Sequence, residues 1–140
     1  GLGSDSMASN NRMDLVGEGR LAVLAQRAAA RRDDILDARA VVELATLGGA
    51  KALRLGGRIG SLEPGKQADL AAFPIPIAAF PVYDPYDTLI WAMSGQAASR
   101  VVVAGRERLR DGHVLGCDEP AILARVNATA DKLAAWKSHR

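Results

Sequence analysis

Gly1-Leu2-Gly3-Ser4-Asp5-Ser6-Met7-Ala8-Ser9-Asn10-Asn11 is the stretch whose reading decides the fold. Residues 1–4 are short and apolar, Asp5 closes them, small polar residues follow, and a helical pattern begins at Met13. A strand delivers a side chain to the mouth of a β/α unit in this way before the chain returns as a helix. In parallel β/α architectures, catalytic groups sit at the C-terminal ends of strands. On local pattern alone a turn or helix-cap role for Asp5 is the stronger reading, because aspartate favours both.

Working outward, residues 13–32 read as a helix. Leu21, Leu24, Ala25 and Ala28 recur at helical spacing and form one apolar stripe. Asn11 or Asp14 can cap its start. Gly17 and Gly19 each cost about 1 kcal/mol relative to alanine, which implies either close packing against a neighbour or a frayed first turn. Asp37 starts a second helix, with Leu36 and Val41 spaced as a hydrophobic staple and Val41, Leu44 and Ala45 as its apolar face. Thr46 reads as a fresh cap for a short third helix ending near Leu55, and Gly56 as its left-handed terminus.

Glu63-Pro64-Gly65-Lys66 has type II turn chemistry, with proline presetting φ and glycine supplying the positive φ. Lys66 and Asp69 look like a catalytic pair, but a turn lysine and a strand-start aspartate are more simply structural. Residues 69–73 read as a strand. A proline-rich loop with Phe80, Tyr83 and Tyr86 follows, suited to covering a surface of the same or a partner chain. Asp84-Pro85 starts a short helix that buries Leu89, Ile90 and Met93. Residues 100–104 and 106–109 form a hairpin around Ala104-Gly105, although Asn-Gly is the preferred turn. Asp111-Gly112 is a second turn, Val114-Leu115 a brief strand, and Asp118 caps a last helix to about Trp136, with residues 137–140 frayed.

Several segments resemble the amidohydrolase superfamily. GLGSDSMASNN with MDLVGEGRLAVLAQRA is similar to its last barrel strand and helix, nearest the deaminase and chlorohydrolase branch with its G-x-D-S-x-A-S-N segments. That branch includes cytosine, S-adenosylhomocysteine and aminofutalosine deaminases. LATLGGAKALRLGGRIGSLEPGKQADLAAF resembles the post-barrel segment, and SRVVVAGRERLRDGHVL the closing hairpin. The run GSLEPGKQADL is the most specific part. The resemblance implies that Asp5 binds a catalytic divalent metal, zinc or alternatively iron, and moves protons; Ser4 stands where threonine is common, and Ser6 is a candidate lining residue. It also implies a His-x-His pair and further histidines. This chain has two histidines, His113 and His139, neither in such a pair, and a β/α barrel takes about 250 residues.

The expected fold class is therefore α+β. Residues 1–57 would be the last strand and helix of a (β/α)8 hydrolase barrel with connecting helices. Residues 58–116 would be part of a small β-sandwich, and residues 117–140 a terminal helix. The apolar faces of residues 15–29 and 41–55, and the few strands, would need partners from the N-terminal part of the same enzyme. The implied activity of that enzyme is hydrolytic C–N cleavage, deamination of a nucleobase-, nucleoside- or pterin-like ring, with a small-molecule substrate; association of like chains stays open. The competing reading is a non-catalytic structural or interaction piece.

Composition excludes other classes. At 140 residues and 49% hydrophobic the chain is not disordered by composition. The net charge is +2, and Arg27, Arg31 and Arg32 are followed at once by Asp33 and Asp34. Acids also interleave the stretch from Arg106 to Arg110, and no aromatic stacking set accompanies either, so a nucleic-acid module is not expected. Cys117 stands alone, which excludes an internal disulfide and a thiolate zinc cluster. No apolar run reaches the roughly 20 residues of a membrane span, and no signal peptide is visible, so a cytoplasmic setting is expected.

Overall fold

A computed structural model describes residues 1–93 and 95–138, without the Ser138 side chain. His139 and the end of the expected frayed tail lie outside the described residues. The elements are α1 (Leu15–Ala30), α2 (Ala38–Glu43), α3 (Gly49–Ala52), β1 (Leu70–Ala72), α4 (Pro85–Asp87), β2 (Arg100–Val103), β3 (Arg106–Arg110), β4 (His113–Val114) and α5 (Glu119–Ser138). The chain is thus a mixed helix and strand structure with one small antiparallel sheet.

Four of the five helix starts, those of α1, α2, α4 and α5, are set by an aspartate. Asp14 accepts from the Gly17 amide, Asp37 from Ala40, Asp84 from Tyr86 and Asp87, and Asp118 from Ala121. Each carboxylate satisfies donors that the first turn leaves orphaned. Gly17 leaves room for the cap, since a β-carbon there would lie 2.7 Å from Asp14 Oδ2.

Gly19 has a different role. It is buried in α1, and a β-carbon would overlap Val41 Cγ1 of α2 and lie 3.5 Å from Leu2 Cδ1 and 3.7 Å from Ile90 Cδ1. Its tolerance therefore reflects close packing against α2, not a frayed turn. The core forms around this approach from Val23, Ala38, Val41 and Ile90, with Leu2, Val16, Leu36, Val42, Tyr86 and Trp91 packed on it. Arg20 and Arg27 lie over the Trp91 ring at 6.0 and 5.7 Å from its centre, which joins the polar flank of α1 to the segment after α4.

Several expectations need correction. The stripe of Leu21, Leu24, Ala25 and Ala28 is exposed, with Leu21 at 61% and Leu24 at 48%; Val16, Gly19 and Val23, on the opposite side of α1, face the core because Gly19 admits α2 there. Helix α1 is apolar on two sides: one packs on α2, and the Leu21 stripe is left uncovered by this chain, as expected of a face that needs a partner from the N-terminal part. Of the α2 face only Val41 is buried within the chain; Leu44 is half-buried and Ala45 exposed. Thr46 caps nothing: a π-helical turn, Leu44–Gly48, joins α2 to α3 without a break, and Thr46 Oγ1 donates back to the Val42 carbonyl at 2.7 Å. The left-handed residue after α3 is Arg54 (φ 60), not Gly56. The Arg54 amide donates to Lys51 O and the Leu55 amide to Ala50 O, closing a Schellman motif two residues early. Residues 1–4 form no strand ladder among the described residues, because a strand is stabilised by a paired neighbour.

The sheet is a meander in the order β1-β2-β3-β4, all antiparallel. It is a single layer, and none of its described residues is buried. Ala104 (φ 49) and Gly105 (φ 74) both take positive φ, as a type I′ hairpin demands. Asp69 accepts from the strained Ala104 amide at 2.5 Å, so the β1 side of the sheet braces the next hairpin. Asp111 (φ 49) and Gly112 (φ 84) repeat the pattern. Helix α5 leaves Ile122, Leu123, Val126, Leu133 and Trp136 at 50% exposure or more.

Two outcomes follow from this packing. Gly19→Ala is expected to lower the urea midpoint of unfolding, because overpacking at Val41 outweighs the helix gain; an open position would instead gain about 1 kcal/mol, and a raised midpoint would contradict the close approach. The 140-residue chain by itself is expected to bind a hydrophobic dye, with less bound when Leu21 and Leu24 are both replaced by lysine. A monomer that binds none and melts sharply would show that these faces need no cover.

Candidate functional site

Asp5 lies on the surface in a left-handed conformation (φ 59), one that aspartate tolerates better than most residues. Its Oδ1 accepts from the Ser6 amide at 2.6 Å. Its Oδ2 makes no hydrogen bond among the described residues, so one carboxylate oxygen remains available. Ser6 is exposed beside it.

The loop that carries Asp5 is closed by Asn10. The Asn10 amide donates to Ser6 O at 2.9 Å. Its side-chain Nδ2 donates to Ser4 O at 3.1 Å and to Glu18 Oε1 at 2.5 Å, and its Oδ1 accepts from the Arg12 amide at 3.2 Å. Ser4 Oγ contacts Met13 Sδ at 3.3 Å. Three residues before Asp5, Leu2 packs on the core. The segment is thus fastened before Asp5 by apolar packing and after it by hydrogen bonds to α1. Sequence reading passed over Asn10 and Glu18; the available signal was an acid in the first turn of α1 behind a loop of small polar residues.

The chemistry of this donor set is limited. A carboxylate oxygen is a fit zinc ligand, but zinc takes at least three protein ligands even in open catalytic sites. No group of three or more histidine, cysteine, aspartate or glutamate side chains among the described residues is placed to hold a metal. Asp5 fits as one ligand, and the rest of a metal site would need side chains beyond these.

The other candidates are structural. Lys66 Nζ bonds Ser61 Oγ and lies 3.2 Å from Glu63 Oε1. Ser61 first and Lys66 second hold the Glu63 carboxyl below its ordinary range. The Lys66 amide donates to Glu63 O across the turn, where Gly65 has φ 90. Lys66 and Asp69 therefore serve two different turns and do not form a pair. His113 Nδ1 lies 3.3 Å from Glu119 Oε2, because the β4 turn brings it back over the first turn of α5. Glu119 Oε1 accepts from the Val114 amide at 2.7 Å. No helix of the described residues is long and apolar enough to cross a membrane.

Comparison with known proteins gives this geometry a context. Residues 1–108 match the amidohydrolase family. A 5-methylthioadenosine/S-adenosylhomocysteine deaminase from Teredinibacter turnerae is 35% identical over 135 residues, covering 96% of this chain and 30% of that protein. An adenosine deaminase from Xanthomonas campestris with bound zinc superposes with a TM-score of 0.86 at 34% identity, covering 93% of this chain and 30% of its own. An atrazine chlorohydrolase from Arthrobacter aurescens complexed with zinc gives 0.78 at 34% identity, covering 88% and 28%. The chain thus spans about 30% of the length of the curated relative it matches.

The β4–α5 junction yields a pH dependence. The Val114 amide first, and His113 second, lower the Glu119 pKa from its ordinary value. A depressed carboxyl contributes stability that is complete above the unfolded value and is lost as pH falls through the folded one. The Val114 amide resonance is expected to titrate with a midpoint below the ordinary 4.5, and Glu119→Gln to abolish that transition. A midpoint at or above the ordinary value would contradict the contact.

Proposed function

This chain belongs to the amidohydrolase family, in its deaminase and hydrolase branch, and on that premise we propose that it is the C-terminal portion of a metal-dependent hydrolase in which Asp5 is a metal ligand and proton carrier. Residues 1–57 complete the barrel, residues 58–116 contribute to a small β domain shared with the N-terminal part, and residues 117–140 form the closing helix. The observation that carries the reading is Asp5 itself: an exposed carboxylate with one oxygen uncommitted, held on a loop fastened on both sides.

The reaction proposed is hydrolytic deamination of a nucleobase-, nucleoside- or pterin-like ring in a cytoplasmic enzyme. Relatives named as deaminases support it. The likeness to an atrazine chlorohydrolase supports dechlorination as the second reading, since the two differ in leaving group and not in the demand for a base. A divalent metal, zinc by preference and iron as the alternative, lowers the pKa of a water when bound. Asp5 would be placed to hold the proton of the attacking water and to return it to the leaving amine, which would depart as ammonia.

Asp5→Asn keeps the shape of the side chain but removes its charge and most of its basicity. In the full-length enzyme, turnover is expected to fall by at least about 10²–10⁴-fold, the worth of general acid–base catalysis, with weaker zinc binding and little change in melting temperature. Asparagine caps a helix about as well as aspartate, so a variant turning over within a few-fold of the parent would restore the structural reading of Asp5.

A further inference from the structure

We propose that Asn10 is the positioning residue for Asp5, with Glu18 as its anchor on α1; this rests on the reading of Asp5 as a metal ligand and base. The carbonyls of the residues before and after Asp5, Ser4 and Ser6, both accept hydrogen bonds from Asn10, while the carbonyl of Asp5 itself accepts from Ser4 Oγ at 3.3 Å. Ser4 O, on one side, accepts from its Nδ2; Ser6 O, on the other, accepts from its backbone amide. Between these two fixed carbonyls, Asp5 sits at φ 59, a conformation that most L-residues occupy only when their surroundings hold them there. A single residue thus fixes the backbone on both sides of Asp5.

Asn10 is itself held. Nδ2 reaches Glu18 Oε1 at 2.5 Å, a charge-assisted bond of the stronger kind, and Oδ1 takes the Arg12 amide. Asn10 is half-buried, unlike its exposed loop neighbours from Ser6 to Ser9 and Asn11. Glu18 stands in the first turn of α1, one residue before the buried Gly19. The path from the helical core to Asp5 therefore runs through two side chains, Glu18 and Asn10. Partners that orient a metal ligand change affinity or activity by about 10–100-fold when removed.

The test uses the full-length zinc enzyme, with zinc affinity measured by chelator competition beside kcat and KM. Asn10→Ala is expected to lower zinc affinity and kcat by about 10–100-fold each, with KM little changed. Glu18→Ala should fall in the same direction and Glu18→Gln should restore most of the loss, because the glutamine oxygen still accepts from Asn10. In an Asp5→Asn background, Asn10→Ala should cost no further zinc affinity, because there is no longer a carboxylate to aim. Parent-level zinc affinity and kcat in Asn10→Ala would overturn the proposal, and so would an equal loss in both backgrounds. Should Asn10→Ala fail to fold, the Glu18 pair decides: parent-level values in Glu18→Ala, or no recovery in Glu18→Gln, overturn it. The two readings fail differently. If Asp5→Asn itself keeps zinc and turnover, the metal-ligand reading falls and this one with it; if Asp5→Asn loses both while Asn10→Ala loses neither, positioning alone falls.

Discussion

The missing side chain of Gly19 is the constraint from which the rest of the helical part follows. Without a β-carbon, α1 accepts Val41 of α2 against its backbone, and the same contact receives Leu2 and Ile90. Residues from four separate parts of the chain meet at one point. A methyl group there would force α2 away and open the cluster of Val23, Ala38, Val41 and Ile90. It would also loosen Leu2, which fixes the chain shortly before Asp5. The helix cost of a glycine, about 1 kcal/mol, is offset by core burial of aliphatic side chains, each contributing about 1.5–3 kcal/mol. The Asp5 segment is thereby seated, through Leu2, on the close contact between α1 and α2.

The β part works on a different principle. None of its strand residues is buried among those described, so apolar burial within the chain contributes little to it. Turn chemistry and local hydrogen bonds give it shape instead. The segment GSLEPGKQADL supplies a type II turn closed by Lys66 and Glu63, a lysine tethered to Ser61, and an aspartate that braces the Ala104 turn. The parts of this run that resemble catalytic residues are both occupied: Lys66 with the Ser61 and Glu63 side chains, and Asp69 with the Ala104 amide.

Legibility in the sequence followed the range of the interaction. Capping at Asp14, Asp37, Asp84 and Asp118 was readable because a cap involves residues two or three apart. The Gly65, Gly105 and Gly112 turns were readable because positive φ has a local residue preference. What depended on contacts across the fold was not. The Leu21 and Leu24 stripe has sound helical periodicity, yet which of two apolar sides of α1 faces this core is decided by Gly19 and Val41, a glycine that carries no hydrophobic signal. Arg54 ends α3 ahead of Gly56, where the Schellman bonds to Ala50 and Lys51 close the helix. His113 and Glu119 are brought together by the β4 turn, and Asn10 meets Glu18 across eight residues of loop and helix. Asp5 was legible through its motif, but its left-handed backbone and the bonds around it were not.

We propose that Asp5 supplies a metal ligand, and a structure of the full-length enzyme with zinc bound decides this. An Asp5 carboxylate oxygen is expected at a zinc–carboxylate bonding distance, about 2.0–2.2 Å, with Asn10 still bonded to the carbonyls of Ser4 and Ser6. A zinc ion held entirely by other side chains, with Asp5 turned to solvent or bonded only to the Ser6 amide, would contradict it.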